Sequence, residues 1–315
     1  MFSRLQLYIL AGCILVAVGV FAIFSFNSKT QSTLPDAASS NNAGDSETTN
    51  NSVPAVNSRI ETPLPNAYFK LSAQNHTDIQ QGSTHQKIDA NVELKYAHQK
   101  INDGIILTVY SLGMKMYQDG TLVEDTLITR DKLVQGNVES SFEDLSSEQQ
   151  QMMTMSFATN LCKITLDANQ NELGRQILSE IGFASINEGN VNTIRLMHGP
   201  YHSGQNDWQG VKRIPMTYGL VMDCPIDYAR ISADGNKISV NGSFTKDEVD
   251  SPQGGIAVKN VSCTVSGSET FDEKVGEYIA GELTLQYKFL AIQPGAQDAA
   301  LDGKIKISLE RVTSH

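Results

Sequence analysis

Positive charge is scarce in this sequence, which has 24 lysine and arginine residues against 35 aspartate and glutamate residues. The formal net charge is −11, and the cationic residues form no cluster along the chain. Affinity for a phosphate backbone depends on clustered lysine and arginine side chains. We therefore predict that this protein has no nucleic-acid partner.

The sequence also lacks the signatures of common catalytic sites. It contains no G-x-S-x-G, no phosphate-binding G-x-x-x-x-G-K-[ST] and no dinucleotide-binding G-x-G-x-x-G. None of its four cysteines belongs to a C-x-x-C motif, which disfavours a thiol oxidoreductase. These absences favour a non-enzymatic protein without a cofactor. Catalytic residues can come from remote positions of a chain, so an enzyme remains the alternative.

Long apolar runs are missing except at the N-terminus. Residues 5–26 contain no charged residue. At about 1.5 Å per residue they extend roughly 33 Å as a helix, which is enough to cross a bilayer core. The run is longer than that of a cleaved signal peptide, so we predict an uncleaved transmembrane signal anchor. Arg4 lies before the anchor, and the positive-inside rule places residues 1–4 in the cytoplasm as a short stub.

An alternative interpretation of the same segment involves Cys13. The sequence Leu10-Ala11-Gly12-Cys13 is similar to a lipobox, in which the cysteine is lipidated. The apolar run continues well beyond Cys13, which favours the signal anchor. Both interpretations predict a single-pass or lipid-tethered protein of the inner (cytoplasmic) membrane, with its main domain in the periplasm or outside the cell.

A polar segment separates the anchor from the rest of the chain. Residues 27–65 consist mainly of Ser, Thr, Asn, Ala and Pro. Such a composition cannot bury enough apolar surface to offset its chain entropy. We predict a disordered linker that lets residues 66–315 range roughly 35 Å from the membrane.

Residues 66–315 show the two-residue alternation of half-buried β-strands. One face of a predicted strand carries Ile88, Ala90, Val92, Leu94 and Tyr96, and another carries Tyr218, Leu220, Met222 and Cys224. Asp-Gly pairs, which are strong hairpin signals, occur at Asp103-Gly104, Asp119-Gly120, Asp234-Gly235 and Asp302-Gly303. We predict a mainly β fold: an antiparallel, meander-rich curved sheet or half-barrel, built either as one domain or as two subdomains that divide near residues 170–200.

Helices are a minor part of the predicted domain. Ser146 and Ser147, followed by Glu148, resemble the start of a capped helix, and a second short helix is predicted near residues 187–196. No strand alternates regularly with a long helix, which disfavours a parallel α/β fold.

Three cysteines lie in this domain: Cys162, Cys224 and Cys263. In an oxidising compartment two of them are expected to pair. All three lie on the apolar side of their predicted strands, so alternation does not select the pair. We favour a disulfide between Cys224 and Cys263, which belong to the same C-terminal meander. The alternative is that all three are small buried apolar residues.

Two histidines four residues apart, His198 and His202, form the most site-like pattern. Such a pair can ligate a metal when both rings lie on one face of a helix. Gly199 and Pro200 interrupt that helix, which favours a polar surface loop. Nearby, Tyr201 and Trp208, the one tryptophan of the chain, are candidate residues of a recognition surface.

The first functional hypothesis is a membrane-tethered, non-enzymatic envelope module that binds a protein, an envelope polymer or an amphiphile through its sheet. A lipid would fit if the concave face of the sheet were open and apolar. The alternative is an extracytoplasmic hydrolase, metal-dependent through His198 and His202.

Overall fold

The computed structural model describes residues 67–129, 131–147, 150, 162–178, 191–216, 220–232, 236–250, 256–292 and 297–313. The predicted stub, signal anchor, Cys13 and linker, all within residues 1–65, lie outside the described residues. Within those ranges, no helix has both the length and the apolar character required to cross a membrane.

The described residues form fourteen strands of one antiparallel sheet. The strands are β1 (Ala67–Gln81), β2 (Thr84–Ile101), β3 (Gly104–Gln118), β4 (Thr121–Thr129), β5 (Lys132–Gln135), β6 (Val138–Ser141), β7 (Cys162–Leu166), β8 (Glu172–Ile177), β9 (Asp207–Pro215), β10 (Val221–Arg230), β11 (Lys237–Asp250), β12 (Ala257–Asp272), β13 (Glu277–Ile292) and β14 (Ala299–Val312). The prediction of a mainly antiparallel β domain is confirmed.

Two meanders make up the sheet. Strands β1 to β6 pair in chain order, strands β9 to β14 do the same, and the pairing of β1 with β14 joins the two meanders. The outer edge of β3 is shared, because one half pairs with β4 and the other half with β7, which in turn pairs with β8. Among the described strands, no pairing closes the sheet.

The alternation in the sequence corresponds to the burial pattern of the strands. In β2, the residues from Ile88 to Tyr96 that share the predicted apolar face are all buried. The same holds for Leu220, Met222 and Cys224 at the start of β10. Because strand side chains point to opposite faces in turn, the apolar face of each strand joins a common core on one side of the sheet.

Two of the Asp-Gly pairs form the predicted hairpins, between β2 and β3 and between β3 and β4. The prediction of a turn at Asp302-Gly303 is wrong, because both residues lie inside β14. Gly303 is needed there for another reason: a Cβ atom on it would lie 2.2 Å from the ring of Tyr287 on β13. The glycine lets an aromatic ring cover the strand. Asp234-Gly235 lies outside the described residues.

Helical structure is limited within the described ranges. Residues 191–196 are helical, in agreement with the predicted helix near 187–196. Ser147 and Gln150 are also helical, and the Gln150 amide donates to the Ser146 carbonyl oxygen at 2.9 Å, as expected for a helix that starts there. A short 3-10 helix spans Phe142–Asp144.

The predicted disulfide is not formed in the structure, where Cys224 and Cys263 are free, buried thiols. Cys224 lies on β10 and Cys263 on β12, with β11 between these strands in the sheet order. Two strand spacings separate backbones by about 9 to 10 Å, whereas a disulfide requires Cα atoms within about 7 Å. Burial raises the pKa of Cys224 to about 11 and that of Cys263 to about 12.

We expect these two thiols to resist alkylation in the folded protein, because the thiolate is the reactive species and both groups are buried and protonated at pH 8. Peptide mass spectrometry after iodoacetamide treatment should find both cysteines unmodified until urea is added. A cross-linked peptide containing both residues under non-reducing conditions would contradict this expectation.

Candidate functional site

A buried segment, residues 191–201, lies against the core face of the sheet. All of its residues are buried except Arg195, which is half-buried. The segment touches both meanders: the His198 ring nitrogen Nε2 shares a hydrogen bond of 2.8 Å with the Tyr96 hydroxyl on β2. On the other side, the Tyr278 hydroxyl on β13 donates to the Pro200 carbonyl oxygen at 2.8 Å. We call residues 191–201 the inner segment.

A cleft of about 580 Å³ opens above the inner segment. One wall is the stretch 170–175, which includes the start of β8, and the other wall is the stretch 210–213 of β9. His198, Gly199 and Pro200 also line it. Among the described strands, β8 is hydrogen-bonded only to β7 and β9 only to β10. The cleft therefore lies between two strand edges, that of β8 and that of β9.

Positive charge predominates in the lining of the cleft. Two carboxylates, Glu172 and Asp223, accompany four cationic side chains, Arg175, Arg195, Lys212 and Arg213. The excess of positive charge contrasts with the net charge of −11 for the whole chain. Lys212 is neutralised by Glu269 behind it, which leaves three cations against two carboxylates in the lining. A cleft with an excess of one sign of charge attracts ligands of the opposite sign, so the lining favours an anionic group.

Glu172 holds two of these cations in place. Its carboxylate accepts two hydrogen bonds from the Arg175 guanidinium, at 2.5 and 2.9 Å. The Arg195 Nε atom lies 3.6 Å from the same carboxylate. Arg175 also donates to the side-chain oxygen of Asn192 in the inner segment at 2.6 Å. Bidentate geometry of this kind fixes the guanidinium orientation, so the β8 wall is tied to the segment below it.

Lys212 forms a buried ion pair on the β9 side. Its ammonium nitrogen donates to Glu269 on β12 at 2.7 Å and to the Leu196 carbonyl oxygen at 2.6 Å. The side chains of Lys212 and Glu269 are 1% and 0% exposed. Burial lowers the pKa of Lys212, and the nearby Glu269 carboxylate opposes that shift. Gly199 makes room for the pair, because a Cβ atom there would lie 3.0 Å from the ammonium nitrogen.

His198 lies next to His98 of β2, and the centroids of the two imidazole rings are 4.5 Å apart. Burial lowers the pKa of His98 to about 3 and lowers that of His198 well below its usual value. Both rings are therefore neutral at pH 7. The His98 Nε2 atom has no hydrogen-bond partner among the described residues.

His202 lies in different surroundings from His198. Its ring is next to Trp208, with centroids 5.8 Å apart, whereas His198 contacts Tyr96 and His98. In the described part of the chain, no three His, Cys, Asp or Glu side chains form a group suited to a metal ion. The metal assignment of His198 and His202 gains no support from this arrangement.

Tyr201 and Trp208, the predicted recognition residues, are both buried. The Tyr201 ring stacks on Phe271 at a centroid distance of 3.7 Å, and the Trp208 ring stacks on Tyr228 at 5.4 Å. The Arg230 guanidinium lies 5.0 Å from the centroid of the Tyr201 ring and 5.9 Å from that of the Trp208 ring. In this structure the two aromatic residues anchor the end of the inner segment.

None of the charged residues of the cleft was predicted from the sequence. Two buried charges had a signal there, because Lys212 of the lining and its partner Glu269 occupy apolar positions of their strands. Lys212 shares a face of β9 with Trp208 and Ile214, and Glu269 shares a face of β12 with Val265 and Phe271. A charge at such a position is buried and must be paired.

No protein-family model and no curated protein matches the sequence. Among solved structures, the chain is similar to DynF from the dynemicin biosynthesis pathway of Micromonospora chersina, with 6% identity over 78% of this chain and 79% of that chain and a TM-score of 0.21. It is also similar to OpdQ of Pseudomonas aeruginosa, with 8% identity, coverage of 78% and 99%, and a TM-score of 0.21. For OccK5 (OpdH) of Pseudomonas aeruginosa the identity is 7%, the coverage 78% and 98%, and the TM-score 0.23. At these TM-scores no function transfers to this chain.

Proposed function

We propose that the protein is a membrane-tethered, non-enzymatic envelope module that binds an anionic part of a partner in the cleft between β8 and β9. The uncharged run at residues 5–26 supports the tether, and the linker 27–65 supports the reach of the domain away from the membrane.

The observation that carries the proposal is the positively charged cleft in an acidic protein. Arg213 is the cation of the cleft most available to a partner, because its side chain is 55% exposed and its contact with Asp223 is 3.7 Å long. Exposed ion pairs of this kind contribute little, so an incoming carboxylate can compete for the guanidinium. Arg175, in contrast, is already engaged by Glu172.

The cleft favours a polar partner over an amphiphile. Six of its fifteen lining residues are charged and three are glycines, whereas lipid sites are lined predominantly by apolar side chains. The core face of the sheet below it is covered by the inner segment, whose Ile194, Leu196 and Met197 are almost fully buried. The hydrolase alternative rested on His198 and His202 as joint metal ligands, and their separate surroundings give it less support.

Site-specific photo-crosslinking tests the proposal. Leu173 lines the cleft from β8 and is 69% exposed, so a photoreactive benzoylphenylalanine at this position should capture the bound partner in cells that make the protein. Val138 on β6, which is 66% exposed and is not part of the cleft lining, is the matched control position. We expect an adduct at position 173 only.

The charge dependence of the adduct is a second readout. Arg213→Gln should reduce the adduct about tenfold, as expected for the loss of a hydrogen bond to a charged group. Lys306→Gln removes a positive charge from an exposed position of β14 and should leave the yield unchanged. Equal adducts at positions 173 and 138, or none, would contradict the proposed function.

A further inference from the structure

Among the described strands, β9 is hydrogen-bonded only to β10, and its other edge, here called the free edge, offers a row of backbone hydrogen-bonding groups to the cleft. In an antiparallel ladder, the amide and carbonyl groups of one residue point to the same neighbouring strand, and this side alternates along the chain. One set of alternate residues in β9 therefore bonds to β10, and the other set points away from it.

Two hydrogen bonds beside the ladder identify the two sets. The Arg230 amide donates to the Asn206 carbonyl oxygen at 2.8 Å, and the Met216 amide donates to the Leu220 carbonyl oxygen at 2.8 Å. Both bonds continue the register of β9 with β10, and they involve the even-numbered positions 206 and 216. The even-numbered residues of β9 consequently face β10.

The odd-numbered residues Gln209, Val211 and Arg213 then present their amide and carbonyl groups to the free edge. Pro225 agrees with this assignment, because it is the register partner of Val211 and has no amide hydrogen to give to β9. The side chains of the same three residues are exposed or half-buried, and Val211 is 56% exposed. Val211 and Arg213 also line the cleft.

We propose that the partner of the cleft is a protein that enters as an extended acidic segment and adds to β9 as an extra strand. This inference rests on the proposed function and specifies its partner. Strand addition uses unpaired edge groups for affinity and side-chain contacts for selectivity. The edge at Gln209, Val211 and Arg213 supplies both, and Arg213 and the cations behind it match an acidic side chain of the added strand.

The length of β9 distinguishes it from the shortest edge strand of the sheet. Natural sheets blunt their edges with very short strands, prolines, bulges or inward charges. β9 carries one inward charge, Lys212, which is paired with Glu269 inside the fold. The opposite end of the first meander, β6, has only four residues. β9 has nine residues, and its proline is the last of them. A second copy of this chain is a poorer occupant than an acidic segment, because its β9 carries two cations, Lys212 and Arg213, and one carboxylate, Asp207.

A proline substitution tests strand addition. Val211→Pro removes the edge amide without removing a hydrogen bond to β10, and the preceding Gly210 tolerates the restriction that proline imposes on its neighbour. Val211→Ala is the matched control because it keeps the amide. With the photoreactive residue at position 173, Val211→Pro should lower the adduct about tenfold relative to Val211→Ala, since it leaves an acceptor of the partner unpaired.

Each outcome separates the two proposals. Equal adducts in the proline and alanine variants, with a loss in Arg213→Gln, would overturn strand addition but retain the proposed function. The absence of an adduct in the protein that carries only the photoreactive residue at position 173 would overturn both strand addition and the proposed function. An adduct with the mass of two copies of the chain, or one without protein, would overturn the acidic polypeptide as occupant. If Val211→Pro does not fold, Gln209→Pro against Gln209→Ala makes the same comparison one edge amide away.

Discussion

Glu269→Ala is expected to lower the free energy of unfolding by about 3 to 5 kcal/mol, which is the usual cost of leaving a buried charge unpaired. The Lys212 ammonium would keep only the Leu196 carbonyl oxygen as a partner, in a site from which water is excluded. Urea denaturation of the purified chain measures this loss. Asp302→Ala is the control, because it removes an ion pair with Lys288 of similar length, 2.6 Å, that is exposed on both sides. We expect that variant to lose less than about 1 kcal/mol.

A double variant separates the charge from the packing. Lys212→Met combined with Glu269→Leu replaces the ion pair with apolar side chains of similar volume, which often restores or raises stability. We expect the double variant to recover most of the loss caused by Glu269→Ala. If it is as unstable as the single variant, the uncompensated charge is not the cause of the instability. The Tyr228 hydroxyl, which both variants keep and which has no partner among the described residues, would then be the next buried group to test.

The architecture of the sheet was predictable because strand alternation is a local property. Each residue from Ile88 to Tyr96 that was assigned to the apolar face is buried, since the side-chain period of two links sequence position directly to a face of the sheet. Another local pattern, the Asp-Gly hairpin signal, gave a wrong prediction at Asp302-Gly303. Glycine is needed there because of the Tyr287 ring on the neighbouring strand, which the local sequence does not show.

The candidate site was less predictable because its parts are distant in sequence. From the sequence, His198 was paired with His202, which is near in sequence. The residue in contact with His198 is His98, one hundred positions earlier, and the packing of the inner segment on β2 brings the two together. The cleft depends in the same way on β8 and β9 facing one another, which no local pattern encodes. The sequence does indicate one feature of the site, because Lys212 and Glu269 are charged residues at positions of their strands that are otherwise apolar.

Acid is expected to destabilise the protein through the two buried histidines. Above pH 6.5, His98 is neutral in both the folded and the unfolded chain, so it adds no pH dependence. Between pH 6.5 and about 3, the unfolded chain binds a proton that folded His98 does not, because burial lowers the pKa of the folded side chain to about 3. Linkage then lowers the free energy of unfolding as the pH falls, by about 3 kcal/mol at pH 4.5 for His98 alone. His198, whose pKa is also lowered by burial, acts in the same direction.

His98→Phe isolates this contribution from the carboxylates that also titrate in this range. The phenyl ring keeps the contacts with Phe69 and Tyr96, and no hydrogen bond of Nε2 to a described residue is lost. In urea denaturation between pH 7 and 4, the slope of stability against pH should fall by about 1.4 kcal/mol per pH unit relative to the unsubstituted chain. Ile105→Val, a change at a buried neighbour that does not titrate, should shift the curve without altering its slope. A His98→Phe curve parallel to that of the unsubstituted chain would show that His98 is not held neutral in the core.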